Sequence, residues 1–478
     1  MKIQNTMKKN LLVILVILLN VYFTNAQIPL LWGVVANGGA QGQGAIIKIY
    51  GDSTGFDTAC SMVQSTGYFP GGHLVLNGDG MFYGTCFLGG TNSAGALFRV
   101  NPSTNVYTDL YNLDSLGTSW VNSDLVREND STFYGVIIQS GIIPYTGRLF
   151  RFNPFSNAYT TLYSYNDTLT GEWPRNIMVA SNHKIYGTTT GGGLNNLGVL
   201  FSFDPSNNTY TDLHDFDSSA YVATGTISEG ANGLLYGVTG SGGTHLKGTI
   251  FSFDTANYTY ITVHDFDGTT GQPNWNNGLT KASNNKFYGM TYLGGQNLVG
   301  VIFCFDPSGN AYGMLHEFDG TNGAYPISTL MQASDNKLYG MTNAGGSNGD
   351  GIIFRFDLTD SSFANLKNLS ASTGSGPYGG LTEFLVPVNI VQLAAIDALQ
   401  IYPNPATDKF RIHPSDIFRK DIVTITIQNV LGEVVRTETA SSKQDVSVDV
   451  KTLSNGIYFV SVTDIEKQLS TKLVIRKN

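Results

Sequence analysis

The stretch LYGMTNAGGSNGDGIIF, Leu338 to Phe354, is a short apolar run, a glycine-rich loop and a second apolar run. Its Tyr-Gly head recurs as Tyr83-Gly84, Tyr134-Gly135, Tyr186-Gly187, Tyr236-Gly237 and Tyr288-Gly289, with Trp32-Gly33 as a variant first copy. Successive glycines of these seven copies stand 50 to 52 residues apart. A period of that length points to a closed propeller or a solenoid, in which each repeat buries its apolar face against its neighbours.

Four strand-like runs fill one period. Strand a carries Leu330, matched elsewhere by Leu74, Leu125, Met178, Ile227, Leu279 and Leu381, and ends in a polar turn such as Ser334-Asp335-Asn336. Strand b is Leu338 to Thr342, and strand c, after the glycine loop, is Ile352 to Phe356. Asp-Pro turns, as at Asp204-Pro205 and Asp306-Pro307, reverse the chain into strand d. Alternating apolar and aromatic residues bounded by Gly, Asn, Asp and Pro are antiparallel strands with tight turns, because these residues supply positive φ or preset turn geometry. No helical period competes. The first copy begins at strand b, whereas Gly376 to Thr382 after the seventh copy reads as a lone strand a. One missing and one surplus strand cancel if the chain closes on itself. The expected fold is therefore all-β, a seven-bladed propeller over residues 27 to 384 whose first blade is completed by 377 to 384.

The pattern LYGxTxxGGxxxxGxxF, in Leu338 to Phe354 and Phe287 to Phe303, resembles the GloVer tandem repeat of extracellular bacterial proteins. The resemblance covers roughly 27 to 384 and implies an extracellular β-propeller without implying an activity. Two copies depart from it. The third has Ser140-Gly141-Ile142-Ile143-Pro144 in place of the double glycine, and the fifth lacks the proline before strand a, so altered loops are expected in both.

Both ends carry addresses. Lys8-Lys9-Asn10, the apolar run Leu11 to Leu19 and Thr24-Asn25-Ala26 form a signal peptide over 1 to 26, too short and wrongly flanked for a retained span. After a linker at 385 to 398, residues 399 to 478 show short alternating strands such as Val423 to Ile427 and Gly456 to Val460, the pattern of a small immunoglobulin-like β-sandwich. This segment closely resembles the type A C-terminal sorting domain of the type IX secretion system of Bacteroidetes. The resemblance rests on Tyr402-Pro403-Asn404-Pro405, on Asn429-Val430-Leu431-Gly432-Glu433, on Leu453 to Tyr458 with Gly456, and on the basic end Lys472 to Lys477. It implies recognition by that secretion machinery and a place outside the cell, surface-anchored or released.

Residues 27 to 398 hold 13 Lys+Arg against 27 Asp+Glu, a charge of about −14 that argues against nucleic acid as a partner. The three cysteines, Cys60, Cys86 and Cys304, cannot all pair and fall at unequal repeat positions, as buried structural thiols do. No phosphate loop, nucleophile elbow or zinc-ligand spacing occurs, so no cofactor, metal or catalytic residue is assigned. The segments His214-Asp215-Phe216-Asp217, His264-Asp265-Phe266-Asp267 and His316-Glu317-Phe318-Asp319 look catalytic but occupy one position in three repeats, which fits strand ends and turns better than one active centre. Aromatic residues before strand a, namely Phe69, Trp120, Trp173, Tyr325 and, one place later, Trp275, are the candidate ligand site near the mouth of the ring. Such rings stack on sugars, and they also fill gaps between blades. The expected function is a binding or structural module with a polysaccharide or protein ligand. The alternative is a glycan-active enzyme, a lyase or glycoside hydrolase, on the same scaffold.

Overall fold

The computed structural model describes residues 28–113, 124–138, 147–165, 170–223, 225–274, 276–385, 399–413, 422–429, 434–441, 444–464 and 468–477. The chain divides into two compact units, Met1–Leu385 and Val386–Asn478. All regular structure among the described residues is strand.

Among the described residues the first unit holds seven antiparallel sheets, numbered here in chain order. Sheet 7 is representative: Met331–Gln332, Leu338–Thr342, Ile352–Phe356 and Phe363–Asn368, paired in that order. Sheet 1 is assembled from both ends of the unit, because Leu30–Val35 pairs on one side with Ala45–Tyr50 and on the other with Leu381–Phe384. The Leu30–Val35 strand thereby gains a partner that local sequence does not supply.

The Tyr-Gly phrase has two physical causes. A Cβ on Gly289 or Gly340 would lie 2.5 Å from the ring carbon Cζ of Phe303 or Phe354, which crosses the glycine from the neighbouring strand. The same crossing joins Gly84 to Phe98, Gly187 to Phe201 and Gly237 to Phe251, so the position admits only glycine. The tyrosine hydroxyl, in turn, ties down the tight turn that precedes it. Tyr339 donates to Asp335 at 2.8 Å, and Asn284 Nδ2 donates to the Tyr288 hydroxyl at 2.8 Å. One register differs from the sequence expectation: Ile177, not Met178, faces Gly187 and is buried, because Glu172–Val179 carries one residue fewer between Pro174 and the core position than Pro70 to Leu74.

Apolar residues alternate across each strand, so every sheet buries both faces. Tyr288, Met290 and Ile302 of sheet 6 share a cluster with Leu330, Leu338 and Phe354 of sheet 7. Equivalent clusters link sheets 1 and 2, 2 and 3, 3 and 4, 4 and 5, and 5 and 6. Leu31, Ile47 and Ile49 of sheet 1 pack with Tyr339, Met341 and Ile353 of sheet 7, so the packing runs in a closed cycle.

In the second unit, Gln400–Tyr402, Lys409–His413 and Val446–Asp449 form one sheet, and Val434–Ser441, Ile422–Asn429, Gly456–Thr463 and Gln468–Ile475 form another. Both contribute to a single apolar cluster, with Phe410, Ile412 and Val448 from the first and Ile425, Ile427, Val460 and Leu473 from the second.

Candidate functional site

The outermost strands account for the His-Asp-Phe-Asp segments. His214, His264 and His316 each lie flat on an aromatic ring of the next sheet, Tyr260, Tyr312 and Phe363, at centroid distances of 4.2, 3.9 and 4.0 Å. Tyr111 on Tyr159 and Tyr163 on Tyr210 continue the same contact in sheets 2 to 4, and Lys367 sits over Phe56 between sheets 7 and 1. Burial pushes all three imidazoles down from the ordinary histidine value. The following residue holds the glycine loop: the carboxylates of Asp215, Asp265 and Glu317 accept from the backbone N–H of Leu194, Thr244 and Gln296. Phe216, Phe266 and Phe318 are fully buried, and Asp217, Asp267 and Asp319 bond their own turns. Each residue of the segment has a packing or turn role.

The aromatic candidates enter the innermost strands. Trp120 and Trp275 lie outside the described residues. Phe69, Trp173 and Tyr325 share an unusual backbone, with φ of 57, 54 and 53°. Such values are outliers for bulky side chains and need local compensation. Part of it comes from the preceding sheet: the N–H of Phe69 donates to Gln43 O at 2.9 Å, and that of Tyr325 to Val299 O at 2.8 Å. The proline after each aromatic covers a loop glycine of that sheet, Pro70 over Gly44 and Pro326 over Gly300. Phe69 packs between Phe87 and Tyr378, and Tyr325 beside Tyr292. Trp173 covers Gly191 and leaves 43% of its surface exposed.

Just beyond the aromatics, the inner strand ends of different sheets converge on one polar cluster. His73 Nδ1 of sheet 2 lies 2.8 Å from Asp124 Oδ1, whose carboxylate also accepts the His73 backbone N–H at 2.7 Å. On the other side, His73 Nε2 is 2.8 Å from Thr329 Oγ1 of sheet 7. The imidazole reaches sheet 7 by passing over Gly380 of sheet 1, where a Cβ would collide with the ring. Burial works against the imidazolium, but the Asp124 carboxylate outweighs it and the net shift of His73 is upward. Asp124 moves down despite its own burial, held by the His73 charge. Around the pair, Thr226 Oγ1 and Ser328 Oγ are buried without a protein partner. The partly open space that both line is about 10 Å³, room for about one water. No signal in the repeat pattern marks these residues, because equivalent positions differ from sheet to sheet.

Among the described residues, no group of three or more His, Cys, Asp or Glu side chains converges to hold a metal. The cysteines are all free, and burial raises each thiol, Cys86 to about 12.

In the second unit the Tyr402 ring is 76% exposed, while Asn404 grips the edge strand Gln468–Ile475. Asn404 Nδ2 donates to Lys472 O at 2.7 Å, and Val474 N donates to Asn404 Oδ1 at 2.8 Å. Ala406 continues the pairing with Val474 and Arg476, which covers an otherwise open sheet edge. Gly456 begins the adjacent strand Gly456–Thr463, and Gly432 lies outside the described residues.

Comparison with known proteins agrees with both halves. The Gloeobacter/Verrucomicrobia repeat family matches residues 29–230 and 223–386, and the chain belongs to that family. The secretion system C-terminal sorting domain matches residues 400–476. This is a type IX sorting domain, which implies Bacteroidetes and the corresponding secretion machinery, and it places the protein in the extracellular or cell-surface space. Among the described residues no helix is long and apolar enough to cross a membrane. No functionally curated protein matches the chain. Two crystal structures, each of a "putative 6-phosphogluconolactonase", share its architecture. The one from Bacteroides uniformis is 11% identical with a TM-score of 0.52, covering 74% of this chain and 99% of that one. The one from Bacteroides fragilis is 12% identical with a TM-score of 0.51, covering 76% and 99%. At such identities the likeness concerns the fold alone.

Proposed function

We propose that the repeat body is a seven-bladed β-propeller, its first blade completed by Leu381–Phe384, and that it acts outside the cell as a binding or structural module. In this reading residues 1–26 are a signal peptide, 385–398 a linker, and 399–478 an immunoglobulin-like sandwich. Tyr402, Pro403, Asn404, Pro405, Gly432 and Gly456 present the sorting surface to the secretion machinery. The ligand is a neutral or cationic polymer, a polysaccharide by preference, because a body charge of about −14 repels polyanions. Phe69, Trp120, Trp173, Trp275 and Tyr325 form its aromatic mouth, with the exposed Trp173 ring as the best described contact.

The observation that carries this reading is the cluster at the inner strand ends. It leaves room for about one water, and its two charged groups, His73 and Asp124, are already paired with each other, so a substrate has little space there. One feature favours a glycan-active enzyme instead: an imidazole held between a carboxylate and a hydroxyl has the geometry of an oriented base. Binding and turnover assays of the purified protein on neutral polysaccharides decide between them. The module binds without producing new reducing ends or unsaturated products, and Trp173→Ala weakens that binding. Product formation that disappears in His73→Ala establishes the enzyme.

A further inference from the structure

At the opposite end of the sheets, the turns that join the first and second strands are tied to the next sheet by a repeated clamp. Ser181 of sheet 4 donates its N–H and hydroxyl to Glu229 of sheet 5 at 2.8 and 2.7 Å. Ser283 of sheet 6 donates its N–H to Gln332 of sheet 7 at 2.8 Å, and Ser334 of sheet 7 does the same to Glu383 of sheet 1 at 2.8 Å. Gly78 to Asp130 and His183 to Glu128 serve the junctions of sheets 2 with 3 and 3 with 4. Between sheets 5 and 6 the corresponding residues are Ala231 and Lys281, which share no such bond. At this junction a groove of about 250 Å³ opens; the junction of sheets 1 and 2 is not comparable, because sheet 1 takes its first strand from Leu381–Phe384 and has no turn there.

Its walls set amide, hydroxyl and carboxylate groups among the larger apolar surface that includes Ala231 and Pro307, the mixed lining that a sugar ring with its C–H face and hydroxyl edge matches. Asn232 and Asn284 each donate one Nδ2 hydrogen to a tyrosine hydroxyl, at 2.9 and 2.8 Å, which fixes both side chains and leaves each a second N–H. The exposed Asn285 side chain makes no bond among the described residues, and its backbone has a φ of 62°. The carboxylate on the rim, Asp306, is neutralised by Lys286 at 3.0 Å and bonded by Ser308. The amide oxygens of Asn232 and Asn284 already accept the N–H of Leu234 and Lys286, so these two present donors, while Asn285 offers donor and acceptor side by side, the complement of adjacent hydroxyl groups; the paired Asp306 leaves a charged ligand little to pair with.

We propose that this groove binds an uncharged polyhydroxylated ligand, one sugar residue of an extracellular polysaccharide, on the face away from the aromatic mouth. The inference rests on the reading of the body as a polysaccharide-binding module and adds a second, separate site. The opened junction is the specific feature, so restoring the clamp closes the site.

The test titrates the full chain with cellohexaose, xylohexaose, mannohexaose and maltohexaose by calorimetry. Asn285→Gly keeps the left-handed backbone accessible and removes the side chain with its amide, and Ala231→Ser with Lys281→Glu rebuilds the clamp seen between sheets 4 and 5. Either change is expected to weaken the responding hexaose roughly tenfold, the scale of one or two lost hydrogen bonds. Melting temperature is expected to hold in the first and to rise in the second. Wild-type affinity in both folded variants, with loss only in Trp173→Ala, overturns the groove while leaving the module reading intact. Absence of binding to every hexaose and to the parent polysaccharides by the wild type overturns both.

Discussion

The outer and inner edges of the same sheets obey opposite rules. Along the outer strands one contact recurs: a flat side chain lies on an aromatic of the next sheet, at 4.2 Å for Tyr163 on Tyr210 and 3.9 Å for His264 on Tyr312. At the inner ends, equivalent positions carry His73, Asp124, Asn176, Thr226, Gly278, Thr329 and Gly380, so the residue type changes at every step and the charged pair occurs once. Histidine marks the contrast. Burial lowers the outer imidazoles and keeps them as neutral packing plates, whereas the carboxylate partner of His73 raises it into a charged tie. Repetition around the cycle therefore identifies what holds sheets together, and departure from repetition identifies where the cycle is specialised.

The most damaging way to break the repeating side is to remove the strand that joins its ends. Deletion from Gly374 onward takes away Leu381–Phe384, leaves Leu30–Val35 unpaired on one edge and opens the cluster of sheets 1 and 7. A chain ending after Leu385 retains the strand and is the control. The shorter chain is expected to lose its cooperative thermal transition and the longer one to keep it. Equal melting temperatures for the two would show that the strand is dispensable.

A smaller break targets one repeat. Gly237→Val places side-chain atoms where the Phe251 ring already lies, its Cζ only 2.5 Å from the position a Cβ would take, and either the ring or the strand pair must give way. Overpacking of this kind costs about 3 kcal/mol. Denaturant unfolding reads that loss, and in a double-mutant cycle with Phe251→Ala the pair should cost less than the sum of the two single changes if the collision is the cause.

On the specialised side, His73→Ala removes the charge paired with Asp124 and leaves it only the backbone N–H of residue 73, for a cost of about 2 kcal/mol, reduced because each side chain keeps about a fifth of its surface in water. The sign with pH follows from the upward shift. The tie is fully present below the unfolded histidine value of about 6.5 and is lost as pH rises through the higher folded value. The stability gap between wild type and His73→Ala should therefore narrow on the alkaline side. The outer histidines, shifted the other way, titrate alike in both proteins and cancel from the difference. A gap that stays constant across that range would mean His73 contributes by packing alone.

These contrasts also explain what could be read in advance. The Tyr-Gly spacing was legible because a ring crossing the backbone tolerates one residue type, so the demand is written identically in each repeat. The His-Asp-Phe-Asp segments could be set aside as structural on the same ground. The inner cluster was not legible, since His73, Asp124 and Thr329 are three different residues whose only relation is that the sheets meet. The aromatic residues were visible before strand a, yet nothing local announces a positive φ at Phe69 or Tyr325, whose N–H groups bond to another sheet. The shift from Met178 to Ile177 comes from a single deleted residue that hydrophobicity conceals, both being apolar. The groove is defined by a missing clamp, and a single repeat cannot show an absence.

The mildest change sharpens the comparison on the outer strand itself. Asp212 stands opposite Phe201 at a position that holds Thr262, Met314 and Asn365 in sheets 5 to 7, so a charge is not part of the repeating requirement. Burial, with a smaller contribution from Asp215, raises its carboxyl to about 6. The folded protein thus holds this proton more tightly than the unfolded chain does, and the associated stability is present below the ordinary aspartate value and lost as pH rises through about 6. Asp212→Asn keeps the shape without the charge. It should match wild type in acid and become more stable by about 1 kcal/mol at neutral pH, a figure discounted for the part of the side chain that remains in water. Denaturation midpoints of both proteins across that range give the answer. A stabilisation that is present in acid, or absent at neutral pH, would show that the Asp212 charge is not what the outer strand resists.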